Sequence, residues 1–257
     1  MKTKELSFTA WMIFAHILMM LAAGVILIYT FDFPDILRAP MEVTLEHFYR
    51  NRAYTIPAYY LFTLTGISFM GVVLLLYKVL QLQGSTPAFL SVFFGVLFGL
   101  TSSMGFIRWP FLMEKLGSRL MDNPGTDVQT LQLVYESFHT YAGVSIGENF
   151  AFWFEFLWIS LFATALREIP HVVPGYMAGS GQALGIGMLL YSLEQFGGWF
   201  SLLGPLNMIV HTAELAWLMA LAFCLLNYRA VQKGRLSLPQ KGISLGFFLL
   251  LVFISFI

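Results

Sequence analysis

Phe138–Trp158, FHTYAGVSIGENFAFWFEFLW, is the stretch on which the fold turns. Its middle is apolar enough to lie in a bilayer, yet it carries Glu148 and Glu155 seven residues apart. On a regular helix that spacing is about two turns, so Tyr141, Ser145, Glu148, Phe152 and Glu155 share one stripe, with Gly143 and Gly147 beside it. A carboxyl in hydrocarbon costs several kcal/mol unless it is paired, protonated or wetted, so such residues face the interior of a helix bundle. The stretch implies an all-α membrane protein with a polar interior.

Composition agrees. Of 257 residues, 58% are hydrophobic and 11% charged, against roughly 25% charged in soluble domains. Net charge is zero, without a basic run, which argues against a nucleic-acid partner. The single cysteine, Cys224, excludes an intrachain disulfide and a cysteine-rich metal site.

Working outward, apolar runs long enough to span a bilayer fall at Phe8–Tyr29, Ile56–Tyr77, Phe89–Ile107, Phe138–Leu166, Tyr176–Leu193 and Leu206–Leu226. A shorter run, Ile243–Ile257, makes a seventh. The reading is a polytopic transmembrane helical bundle of seven spans, six as the fallback, forming a single domain over residues 1–257. The first run is too long for the core of a cleavable signal peptide and is kept as a span. With the N terminus inside, Lys2, Lys4, Lys78, Arg167, Arg229, Lys233, Arg235 and Lys241 fall on the cytoplasmic side, while the outer loops receive six basic and nine acidic residues. That bias favours a cytoplasmic N terminus and, with seven spans, an external C terminus.

Both long outer loops are expected to hold short amphipathic helices. After the first span, Pro40 suits a first helical turn and Met41, Leu45 and Phe48 line one face. After the third, Leu112, Leu116 and Leu120 share a face before Asn123-Pro124-Gly125 breaks the chain. Thr126 and Gln129 then have capping-box spacing for a helix starting near Asp127. Small residues at four-residue spacing (Gly95, Gly99 and Ser103; Gly143 and Gly147; Gly181 and Gly185) mark spans three to five as the closely packed ones. Trp11, Trp109 and Trp199 suit interface anchors.

Depth along the spans brings four ionisable groups to the outer half: Glu148, the pair His211 and Glu214 at i, i+3, and Arg108 at the end of the third span. The expectation is an outward-facing polar cavity that binds a small or lipid-derived ligand through Glu148, His211 and Glu214, with Arg108 as counter-charge. Glu155 lies deeper as a protonatable group whose one neighbour at that depth is His16. A network that merely fixes helix register would use the same residues. A membrane-embedded metal-dependent or redox enzyme is the alternative, since Glu136-x-x-His139 resembles the Glu-x-x-His pairs of di-iron bundles and His211 with Glu214 offers a second such pair. His139 with His211 would suit haem on similar depth. No cofactor is expected. A serine nucleophile among Ser102, Ser103 or Ser145, a transporter and an accessory membrane subunit complete the alternatives.

Three segments in this order, FDFPDILR (31–38), FHTYAGVSIG (138–147) and HTAELAWLMALAF (211–223), are similar to the bacterial multi-pass proteins grouped as domain of unknown function 4386. The resemblance runs from about Phe8 to Arg229. It implies a bacterial inner-membrane protein of six or seven spans and carries no assigned activity or site residue.

Overall fold

Among the described residues the apolar runs become helices, several of which extend past the ends of their runs. A computed structural model describes residues 3–232, and every element in it is helical; the run Ile243–Ile257 and Lys233, Arg235 and Lys241 lie outside the described residues. The helices are α1 (Thr3–Phe31), α2 (Met41–Arg50), α3 (Arg52–Val79), α4 (Thr86–Arg108), α5 (Glu114–Asp122), α6 (Val128–Phe138), α7 (Ala151–Leu166), α8 (Gly175–Ser192) and α9 (Leu206–Gln232). Two π-helical segments, Trp109–Met113 and His139–Phe150, join α4 to α5 and α6 to α7 without a break.

Five of these stretches are long and apolar enough to cross a membrane: Lys4–Phe31, Arg52–Val79, Thr86–Asp122, Val128–Leu166 and Leu206–Tyr228. Trp11, Leu18, Ile67, Phe89 and Ile209 each keep more than half of their side chain exposed, the apolar outer surface that marks a membrane contact. The expected fifth span is a helix at the expected place, α8, but it is not among the five. Its 18 residues include five glycines and Gln182, which dilute its apolarity. Thr86–Asp122 and Val128–Leu166, with 37 and 39 residues, are about 55 Å and about 58 Å long at the α-helical rise, well beyond a hydrocarbon core of about 30 Å.

The chain packs as two compact units, and most long helices contribute to both. One comprises residues 18–67 and 99–151. Here α2 buries Met41, Leu45 and Phe48, the face expected from sequence; each such side chain contributes about 1.5–3 kcal/mol. Phe31, Phe48 and Tyr59 pack around Trp109, with Tyr59 stacked on it at 4.7 Å. Trp109 is 1% exposed, so it is a core residue and not the interface anchor expected from its place at a span end. Gly105 and Gly147 meet backbone to backbone: a β-carbon on either would stand 2.6 Å from the other's Cα. The start of α6 is capped by Asp127, whose carboxylate accepts from Gln129 N and Thr130 N. Thr126, expected as the cap, instead donates to Arg119 O at 2.8 Å.

The other unit comprises residues 1–17, 68–98 and 152 onward. Trp158 is fully buried against Phe69 at 4.7 Å and closes on Gly95. Gly181 lies against Ala163 and Trp217, and Gly185 against Ser160, as small-residue spacing requires. Trp217 Nε1 donates to Met177 O at 3.0 Å, and Gln182 Nε2 donates to Ser160 O at 2.7 Å and Thr164 Oγ1 at 2.9 Å. The polar group that lowers the apolarity of α8 is thus satisfied by α7.

Candidate functional site

The π segment His139–Phe150 decides how the ionisable groups are shared out. Its wider turn, bonded i to i+5, breaks the stripe expected of a regular helix. Tyr141 and Ser145 are exposed, Glu148 is half-buried and Glu155 fully buried. Arg108, Glu136, His139 and Glu148 belong to the first unit; His16, Glu155, His211 and Glu214 belong to the second.

In the first unit Arg108 closes α4 and is 9% exposed. Its guanidinium lies against the backbone of Gly143, where a β-carbon would stand 2.5 Å from Nη2 and 2.7 Å from Cζ. Glycine is required there for the arginine to occupy this place. Nη1 donates to Gly105 O, and Cζ lies 5.4 Å from the centre of the Trp109 ring. Glu148, Tyr59 and Tyr135 act electrostatically on the guanidinium, as it does on His139. The His139 ring stacks on Tyr135 at 5.4 Å, and Arg38 is also within electrostatic reach of it. The Arg108 guanidinium thus has the Glu148 carboxylate within electrostatic reach, and Arg38 brings a second guanidinium within reach of His139.

Several polar atoms here are buried without a protein partner: Arg108 Nε, Tyr59 Oη, Tyr135 Oη and His139 Nδ1. Tyr135 Oη has the Thr44 hydroxyl beside it without hydrogen-bonding geometry. Thr44 Oγ1 itself donates to Ile36 O at 3.1 Å and Ala39 O at 3.3 Å. A buried donor without an acceptor costs about 1–3 kcal/mol, more when charged. Arg108 Nε–H and the Tyr59 hydroxyl are donors, so the group is suited to an oxyanion.

In the second unit the arrangement is reversed in sign. Glu155 of α7 meets His211 and Glu214 of α9: His211 Nδ1 is 3.9 Å from Glu155 Oε1 and 3.8 Å from Glu214 Oε2. One ligand atom from each of the three lies within 4.8 Å of the others. Phe152 and Tyr191 flank the imidazole at 5.6 Å and 6.2 Å between ring centres, and Asn207 Nδ2 donates to Tyr191 Oη at 2.8 Å. Both oxygens of Glu155, and Oε1 of Glu214, are buried without a hydrogen-bond partner.

Glu155 therefore has partners that sequence reasoning did not assign to it, while His16 Nδ1 lies 2.8 Å from Ser68 Oγ. Glu155 and Glu214 lie on different helices, so no sequence spacing joins them. Of the four metal candidates, His211 and Glu214 belong to the converging trio. Glu136 is exposed and accepts from Gln132 Nε2 at 2.7 Å, and His139 sits in the arginine cluster. Ser103 Oγ donates to Thr63 O at 2.9 Å and Ser145 Oγ to Thr140 O at 3.0 Å, the backbone bonding usual for serines in apolar helices. Tyr59 and Tyr135 were missed. Tyr59 sits in an apolar run without a spacing cue, whereas Tyr135 and His139 at i, i+4 are legible as neighbours. Comparisons of the chain with protein-family models, with curated proteins and with solved structures find no match.

Proposed function

We propose that the chain is a multi-pass protein of a bacterial cytoplasmic membrane that binds a small or lipid-derived oxyanion at Arg108. One observation carries the reading: a buried guanidinium whose Nε has no protein partner stands among the unpartnered hydroxyl of Tyr59 and ring nitrogen of His139. The ligand presents a carboxylate or phosphate to Arg108 Nε–H and Tyr59 Oη–H, and Glu148 balances part of the arginine's charge. His139 completes the polar wall.

Seven spans and a cytoplasmic N terminus fit this reading. To the five apolar helices it adds α8, whose Gly181, Gly185 and Gly187 lie on α7 and α9 and whose Gln182 is bonded to α7, so the glutamine is satisfied without water. At 18 residues it spans about 27 Å. The apolar run Ile243–Ile257, outside the described residues, would supply the seventh by its sequence. The lysine and arginine bias sets the orientation, and Arg108 then ends a span on the outer side. The likeness to family 4386 supports the bacterial setting.

Native mass spectrometry of the detergent-purified protein tests the binding, with calorimetric titrations of inorganic phosphate, a fatty acid and phosphatidylglycerol separating free from lipid-borne anions. One anion per chain is expected in the wild type, lost in Arg108→Gln and weakened in Tyr59→Phe. Equal binding by wild type and Arg108→Gln would refute the assignment.

A further inference from the structure

The Glu155, His211 and Glu214 trio is separate from the arginine cluster in residues, in unit and in sign. His211 and Glu214 sit one turn apart on a regular stretch of α9, which directs both side chains to the same face. Glu155 comes from α7 to meet them and is 0% exposed; Glu214 is 5% exposed. Three carboxylate oxygens of this pair lack a partner of full hydrogen-bonding geometry, although the two carboxyl groups stand close enough to share a hydrogen bond. Two adjacent carboxylates in an apolar surround repel each other unless something positive stands between them. The positive partner is a shared proton, a proton on His211, or a cation.

The geometry favours a cation. Carboxylate oxygens and imidazole nitrogens bind Zn²⁺ at about 2.0–2.2 Å, so ligand atoms of one ion stand about 3–4 Å apart. The distances from His211 Nδ1 to the two carboxylates, 3.9 Å and 3.8 Å, lie in that range. Two carboxylates and a neutral imidazole neutralise a divalent ion. A histidine among the ligands selects a first-row transition ion over calcium or magnesium, which take oxygen sets. Phe152 and Tyr191 wall the imidazole and fix its ring.

We propose that Glu155, His211 and Glu214 bind one divalent transition-metal ion of the zinc class, with three protein ligands and a fourth coordination position left for a small molecule. The site goes beyond the oxyanion reading and does not rest on it, since none of its residues belongs to the arginine cluster.

The test is a titration of EDTA-treated, detergent-purified full-length protein with CoCl2, followed by displacement with ZnCl2. Visible Co²⁺ bands should appear with a one-to-one endpoint, disappear on adding zinc, and coincide with a rise in Tm. Glu155→Gln, His211→Ala and Glu214→Gln should each weaken Co²⁺ by more than about 10–100-fold, the range produced by losing an outer-shell partner alone. The wild-type titration stands even if a variant fails to fold. No Co²⁺ bands, or bands unchanged in all three variants, would overturn the site. So would a protonated-carboxyl infrared band that persists at saturating zinc and vanishes in Glu155→Gln, which would identify a shared proton as the positive partner. Loss of oxyanion binding in Arg108→Gln would leave all of these outcomes unchanged.

Discussion

In the unit that holds Arg108, His139 and Glu148 hang on a π-helical segment and Arg108 adjoins another; in the unit that holds Glu155, the polar groups hang on regular α-helices. The first cluster is rich in donors, with a glycine floor and π-helical segments that include Pro110, whose missing N–H removes a helical bond. The second is rich in acceptors, built from an i, i+3 pair and one residue from the facing helix. The contrast shows two ways to house charge among apolar helices. A long cation needs backbone taken out of its way. Short carboxylates need only a shared face.

Arg108→Met should have the largest effect on stability. It removes the bond to Gly105 O and a charge that acts on half-buried Glu148, and breaking the contacts of a buried charge costs about 3 kcal/mol, read as a clear fall in Tm in detergent. Glu155→Gln in metal-free buffer should leave Tm unchanged or raised, because it relieves repulsion between carboxylates. Equal losses from the two variants would break the contrast between the clusters.

Gly147→Ala comes next. Its β-carbon would stand 2.6 Å from Gly105 Cα, and backbone cannot yield as a side chain does, so overpacking of about 1–3 kcal/mol is expected in thermal unfolding. Gly179→Ala, with nothing within 4 Å of the added carbon, should instead be neutral or stabilising by about 0.5–1 kcal/mol. Gly143→Ala sharpens the point about the glycine floor. There the neighbour is a mobile guanidinium, so the arginine shifts. Oxyanion affinity should fall about tenfold, or about 1.4 kcal/mol, with a smaller change in Tm than Gly147→Ala.

The smallest effect concerns pH. The Thr130 hydroxyl, donating to the Asp127 carboxylate, holds it below the ordinary carboxylate range. A lowered value in the folded state means that its stabilisation is present above the unfolded value, near 3.9, and is lost as pH falls through the folded one. Asp127→Ala should therefore flatten the acid limb of a Tm-against-pH curve slightly. A wild-type and variant curve that stay parallel below pH 4 would remove the cap from the account.

What the sequence made legible follows from regular geometry. Spans appeared as apolar runs, α2 as a face of Met41, Leu45 and Phe48, and the helix contacts of Gly95, Gly147, Gly181 and Gly185 through small-residue spacing. His211 and Glu214 were found because α9 is regular around them. Irregular backbone hid the rest. The π segment broke the regular stripe expected to carry Glu148 and Glu155, Glu155 and Glu214 meet from different helices with no spacing to join them, and Trp109, at a span end, turned into the core. Tyr59 carries no pattern of its own, since its role comes from stacking on Trp109.

The central claim is that Arg108 holds an anion. An experimental density map of the protein purified with its native lipids is the most direct test. The account predicts a carboxylate or phosphate oxygen at about 2.7–2.9 Å from Arg108 Nε and within hydrogen-bonding distance of Tyr59 Oη. A map in which both atoms bond only to protein groups or water would contradict it.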